Sequence, residues 1–116
     1  MIHCKGWNGF ETVVSKTNKI ILQCDTTPNS IKKLVTNPES VEIFVDLLGQ
    51  RINSKISDSH VIGFIHYYRD DSLMLSAKAF QEGISFVIDG RVYYSRMTYR
   101  AGMLFGNECS SSFGNK

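Results

Sequence analysis

The chain has 116 residues, 42% of them hydrophobic and 21% charged, which suits one compact domain and excludes a disordered, collagen-like or coiled-coil protein. Thirteen Lys and Arg against eleven Asp and Glu leave a formal net charge of +2, far from the basic excess of a protein held on DNA by its phosphates. No apolar run approaches the roughly 18 to 20 residues that span a bilayer, and MIHCKGWNGFE lacks the pattern of a secretory signal, so a cytoplasmic protein without a membrane segment is expected.

The first residues hold the single tryptophan, in Gly6-Trp7-Asn8-Gly9-Phe10, where two glycines around aromatic rings predict a loop that caps a core edge or forms a contact point. Val13 and Val14, a polar turn at Thr17 and Asn18, and Ile20-Ile21-Leu22 predict a first hairpin. Ile20, Leu22 and Cys24 share one face of its second strand. Cys4, Cys24 and Cys109 form an odd set without a C-x-x-C pair, read as three reduced thiols, Cys24 packed as a small hydrophobe and Cys109 exposed.

Beyond Cys24 the period changes. Thr27-Pro28 and Asn37-Pro38 each set a capping side chain before a proline, which predicts helices over residues 28–35 and 38–48, the second ended by Gly49. Val41, Phe44, Val45 and Leu48 follow i, i+3, i+4, i+7, a core stripe. Glu39, Glu42 and Asp46 also follow helical spacing, and no Lys or Arg lies between Pro38 and Gly49 to neutralise them. The macrodipole accounts for the first two of these acids but not for Asp46 near the carboxyl end.

Residues 51–59 read as a linker within the domain. Residues 60–68 are apolar or aromatic on both faces, with Ile62, Phe64, His66 and Tyr68 on one side, as in a central strand. Strands over 73–80 and 84–88 follow, and Asp89-Gly90 is a two-residue type I′ hairpin signal. That turn pairs Ile88 with Arg91, Phe86 with Tyr93 and Ser85 with Tyr94. The last strand is expected over 91–100, with Ile84, Phe86, Ile88, Tyr93, Met97 and Tyr99 toward the core and Tyr94, Arg96, Thr98 and Arg100 on the other face. Residues 106–116 are small and polar, a flexible tail after a single domain over 1–105. The expected fold is therefore α+β: an antiparallel sheet of about five or six strands, mostly a C-terminal meander, packed on a short helical pair.

No nucleophile, Walker or metalloprotease motif occurs, and no catalytic residue, cofactor or metal ligand is assigned. Asp70-Asp71 reads as a turn rather than a cation site. What remains is surface chemistry: Tyr94, Arg96 and Arg100 as one candidate contact face, and Glu39, Glu42 and Asp46 as a second. Opposed patches on a small domain suit a protein-binding module, an inhibitor or neutralising protein of immunity or phage type acting on a larger partner, or a homodimer pairing acidic helix with basic strand. Two alternatives share these residues: single-stranded RNA on the Tyr and Arg face, and a small polar ligand between sheet and helices, lined by His66, Tyr68 and Tyr94.

Overall fold

Three helices lie on one face of a seven-stranded antiparallel sheet in the computed structural model, which describes residues 5–27, 31–56 and 60–114, with side chains from Phe10 to Ser110. In chain order the elements are α1 (Lys5–Lys16), β1 (Lys19–Gln23), β2 (Lys32–Val35), α2 (Pro38–Leu48), β3 (Arg51–Ile52), β4 (Val61–Arg69), β5 (Ser72–Phe80), β6 (Gly83–Ile88), β7 (Arg91–Arg96) and α3 (Tyr99–Gly114). The strands lie in the order β2-β1-β4-β5-β6-β7-β3, so β4 to β7 form the expected meander and the remaining strands complete its two edges. The α+β class holds, with seven strands rather than five or six and three helices rather than two.

Alternation sorts each strand into a core side and an open side. Ile20 and Leu22 of β1, Ile65 and Tyr67 of β4, Leu75, Ala77 and Ala79 of β5, and Ile84, Phe86 and Ile88 of β6 are buried beneath the helices. From the helix side, α2 contributes Val41, Phe44, Val45, Leu47 and Leu48, α1 contributes Val13, and α3 contributes Ala101, Phe105 and Cys109. Two polar contacts fix the seat of α2 on the sheet: the buried Tyr67 hydroxyl donates to the Phe44 carbonyl at 2.7 Å, and the buried Ser95 hydroxyl donates to the Leu48 carbonyl at 3.3 Å. Burial of Tyr67 pushes its ionisation well above the usual phenol range, so the hydroxyl stays a donor.

The strongest local signals form as expected. Asn37 caps α2, its side-chain oxygen accepting from the backbone of Glu39 and Ser40 at 2.9 and 3.3 Å, and Gly49 closes the helix. Asp89 and Gly90 have φ of 56° and 81°, as a type I′ turn requires, and β6 and β7 pair Ile88 with Arg91, Phe86 with Tyr93 and Ser85 with Tyr94.

Several expectations are corrected. Residues 13 and 14 belong to α1, not to a hairpin strand, because Phe10, Val13 and Val14 are spaced for a helix that buries Val13 and sets Phe10 against the core. The expected helix over 28–35 is replaced by β2, whose short run Lys32-Lys33-Leu34-Val35 pairs with β1 and buries Val35. The 51–59 linker contains a two-residue strand pairing Arg51 with Ser95 and Ile52 with Tyr94. The last strand stops at Arg96: Thr98 caps a new helix, its side-chain oxygen accepting from Ala101 N–H at 3.2 Å and its carbonyl from Gly102 N–H at 2.9 Å. Tyr99 therefore stands 80% exposed rather than in the core, and the chain is helical to Gly114 where a flexible tail was expected from residue 106. Residues 6–10 likewise lie in α1 rather than in a loop, while the Trp7 side chain and Pro28 of the Thr27-Pro28 pair fall outside the described residues.

A disulfide joins Cys24, just past β1, to Cys109 on α3, across 85 residues, in place of two reduced thiols. Both cysteines are buried. Nearby, Gly63 lets α3 approach β4, since a Cβ there would collide with the Gln23 carbonyl and the Phe105 ring.

Candidate functional site

Because all three helices pack on one side, the other side of the sheet carries no covering element among the described residues. Its side chains follow from the pairing. One row crosses all seven strands: Lys32, Gln23, Phe64, Lys78, Ser85, Tyr94 and Ile52 are successive cross-strand partners. The adjacent row runs Leu34, Ile21, His66, Ser76 and continues in the pair Val87 and Val92. A third pairs Lys19, Tyr68 and Leu73.

Four aliphatic side chains on this face are more than half exposed: Leu34 at 62%, Leu73 at 55%, Val87 at 53% and Val92 at 51%. Between β5, β6 and β7 the surface is hollowed into a depression of about 490 Å³ lined by Leu73, Met74, Ser76, Lys78, Val87, Val92 and Tyr94 among others. Scattered exposed aliphatics are ordinary, but three of these four, Leu73, Val87 and Val92, gather around one depression, as binding surfaces do, while Leu34 stands apart on the edge strand β2.

At the middle of the face a polar group satisfies itself. His66 Nδ1 lies 2.7 Å from Ser76 Oγ and Nε2 lies 3.2 Å from Gln23 Oε1, while its ring stacks on Phe64 at 6.2 Å. Partial burial, and secondarily the Lys32 ammonium, hold the imidazole below its usual pKa, which favours the neutral ring. Neither nitrogen has a carboxylate partner, so the arrangement positions the ring and does not build a general base.

Charge is distributed by side. The open face carries Lys19, Lys32, Lys78 and Arg96 on its strands and no Asp or Glu on the same rows. Lys19 is engaged, 3.3 Å from Asp71 and 5.3 Å from the Tyr68 ring centre. Lys32, Lys78 and Arg96 have no carboxylate within 4.0 Å among the described residues. On the opposite side Glu39, Glu42 and Asp46 are all exposed on α2, so the acidic stripe and the basic sheet face point away from each other.

The candidate residues are only partly brought together. Tyr94 and Arg96 share the open face of β7, Tyr94 half-buried at the edge of the depression and Arg96 exposed. Arg100 is separated from them, exposed on α3 because the strand has ended. His66, Tyr68 and Tyr94 do not line a pocket between sheet and helices: all three lie on the helix-free side, on β4 and β7, and only Tyr94 borders the depression. The space between sheet and helices is filled by the core instead. Asp70 and Asp71 act as turn residues, Asp70 exchanging two hydrogen bonds with Asn18 at 2.8 and 3.0 Å. No helix is long and apolar enough to cross a membrane, and no cluster of three or more His, Cys, Asp or Glu that could hold a metal ion occurs, both among the described residues.

The aliphatic members were missed, although the signal for two of them was present. The Asp89-Gly90 turn that pairs Phe86 with Tyr93 also pairs Val87 with Val92 on the other face. A helix over 28–35 would not set Lys32 and Leu34 on a sheet face; only their pairing with Gln23 and Ile21 does. Compared with known protein families, curated proteins and solved structures, the chain matches none.

Proposed function

We propose that this protein is a small protein-binding module that inhibits or neutralises a larger partner by covering part of its surface, and that the helix-free sheet face makes the contact. The observation that carries this reading is the set of exposed Leu34, Leu73, Val87 and Val92, with Lys32, Lys78 and Arg96 beside it and no acid on the same rows. Apolar groups that cost solubility when exposed are offset by burial against a partner, and the adjoining cations set its orientation. Tyr94 and Arg96 keep their place in this surface. Arg100 and the acidic stripe Glu39, Glu42 and Asp46 form separate surfaces that a second contact would use.

Single-stranded nucleic acid remains the second reading, supported by Tyr94, Lys78 and Arg96 on one face. The aliphatics weigh against it, since they offer neither a stacking plane nor a phosphate contact. The Cys24–Cys109 bond supports a working place that is oxidising, in contrast to the cytoplasmic location expected from composition.

The experiment compares partners retained from the native cell by the wild-type chain and by a Lys78→Glu, Val87→Asp double variant, with folding of each checked by circular dichroism. Selective loss of a retained protein by the folded variant is expected. Identical retention by both chains would overturn the assignment of this face.

A further inference from the structure

Resting on that reading of the helix-free face, we infer that its occupant is an acidic amphipathic helix of the partner, laid across the strands. The backbone restricts the choice first. Interior strands of the sheet have their N–H and C=O groups paired with both neighbours, so an extended segment resting on the face would find no ladder to join. A helix brings its own backbone satisfied and offers only side chains.

The chemistry of the rows then describes that helix. The row from Leu34 on β2 to Val92 on β7 is aliphatic at both ends, with the His66–Ser76 pair between them, and crosses five interstrand spacings, about 24 Å, which equals about 16 helical residues. An apolar stripe at i, i+3, i+4 and i+7 lies along this row and enters the depression between β5 and β7. Cations without carboxylate partners among the described residues flank the row on one side only, at Lys32 and Lys78, with Arg96 beyond. On the other flank Lys19 is already paired with Asp71. The complementary helix therefore carries its Glu or Asp along a single flank of its apolar stripe.

The same observations disfavour other occupants. A second copy meeting face to face would bring no acid from the same rows to these cations. Its acidic helix, α2, buries its own apolar stripe and would bring charge alone. A flat anionic bilayer would leave the depression unfilled. For an oligonucleotide, the Phe64 ring is already stacked on His66 and the aliphatic side chains would go uncovered.

The test uses the full oxidised chain and a synthetic 16-residue peptide with leucines along one stripe and glutamates along one flank, followed by fluorescence anisotropy and by gain of helicity. A peptide with lysine for each glutamate, an oligothymidylate and phosphatidylglycerol vesicles are run beside it. Binding of the acidic peptide alone is expected, weakened about tenfold by either Lys78→Glu or Val87→Asp. Failure of the acidic peptide to bind, equal binding of the lysine peptide, or preference for oligonucleotide or vesicles would overturn the inference. Loss of the native partner from the double variant without peptide binding would refute the helix yet keep the protein-binding reading. Unimpaired retention of the partner would refute the reading itself.

Discussion

Reducing the Cys24–Cys109 bond is the perturbation with the largest effect on this fold. The bridge closes a loop of 85 residues, and the chain-entropy relation assigns a loop of that length about 4.5 kcal/mol at 25 °C. Domains of this size are stable by roughly 5 to 15 kcal/mol in total. The bond is thus a substantial share of the margin, and its loss would lower the melting temperature by on the order of 15 °C. The entropic figure is an upper bound, because α3 keeps Ala101 and Phe105 in the core when the bond is gone. Beyond Phe105, Cys109 is the one buried side chain among the described residues of α3, so its carboxyl-terminal half depends most on the bridge. Urea unfolding of oxidised and reduced wild type isolates the bond from packing, while a Cys24→Ala, Cys109→Ala double variant adds the packing loss. The expected result is a lower midpoint on reduction and faster hydrogen exchange first over residues 106–110. A linked Cys24 and Cys109 peptide pair should appear in a non-reduced digest. Superimposable urea curves for the two redox forms, or absence of that peptide pair, would refute the clamp.

Other perturbations test the packing and the polar centre of the open face. Tyr67→Phe removes the donor to the Phe44 carbonyl and should cost about 1 kcal/mol in urea unfolding, with little change in shape. Gly63→Ala sets a methyl group against the Gln23 carbonyl and the Phe105 ring, and should cost about 1 to 3 kcal/mol, with part of it recovered by Phe105→Leu. His66 has a pKa lowered by partial burial and by Lys32, so the unfolded chain binds its proton more readily than the folded one. Its contribution to stability is present above the model-peptide value of 6.5 and is lost as pH falls below that value through the folded pKa. A His66→Gln variant should flatten the stability profile in that window, and an unchanged slope would count against the environment described for the ring.

The second half of the fold was legible because its signals are local. Asp89-Gly90 specifies a turn with positive φ at both residues, and the turn alone fixes every pair in the hairpin it joins. Asn37-Pro38 and Gly49 bracket α2 for the same reason. The first half misled where local preference and tertiary pairing disagree. Thr12-Val13-Val14 is β-branched and favours a strand in isolation, yet packing of Phe10 and Val13 on the core holds a helix there. In residues 28–35 the capping pair Thr27-Pro28 suggested a helix, while the deciding interaction is pairing of Lys32 to Val35 with β1, which no local pattern announces. In α3 the buried Ala101, Phe105 and Cys109 do recur at helical spacing, but Gly102, Gly106 and three consecutive serines made the segment resemble a tail. Its helicity comes from docking and from a cystine whose two halves lie too far apart in sequence to be paired by spacing.

The same distinction separates the candidate site from the core. A net charge of +2 suggested weak electrostatics, but three carboxylates stand on α2 and three cations without carboxylate partners among the described residues stand on the opposite side of the sheet, so the total hides two fields of opposite sign. Nothing in the core requires this arrangement. Val87 and Val92 are exposed, and replacing them with Thr would keep β propensity without exposing apolar surface. At the sheet edge the chain already limits unwanted pairing, with two lysines on the four-residue strand β2. A protein that protects its edge yet leaves Leu34, Leu73, Val87 and Val92 open on its face carries a solubility cost at one place and avoids it at another. Folding stability does not explain that difference; the proposed partner, by covering these side chains, would.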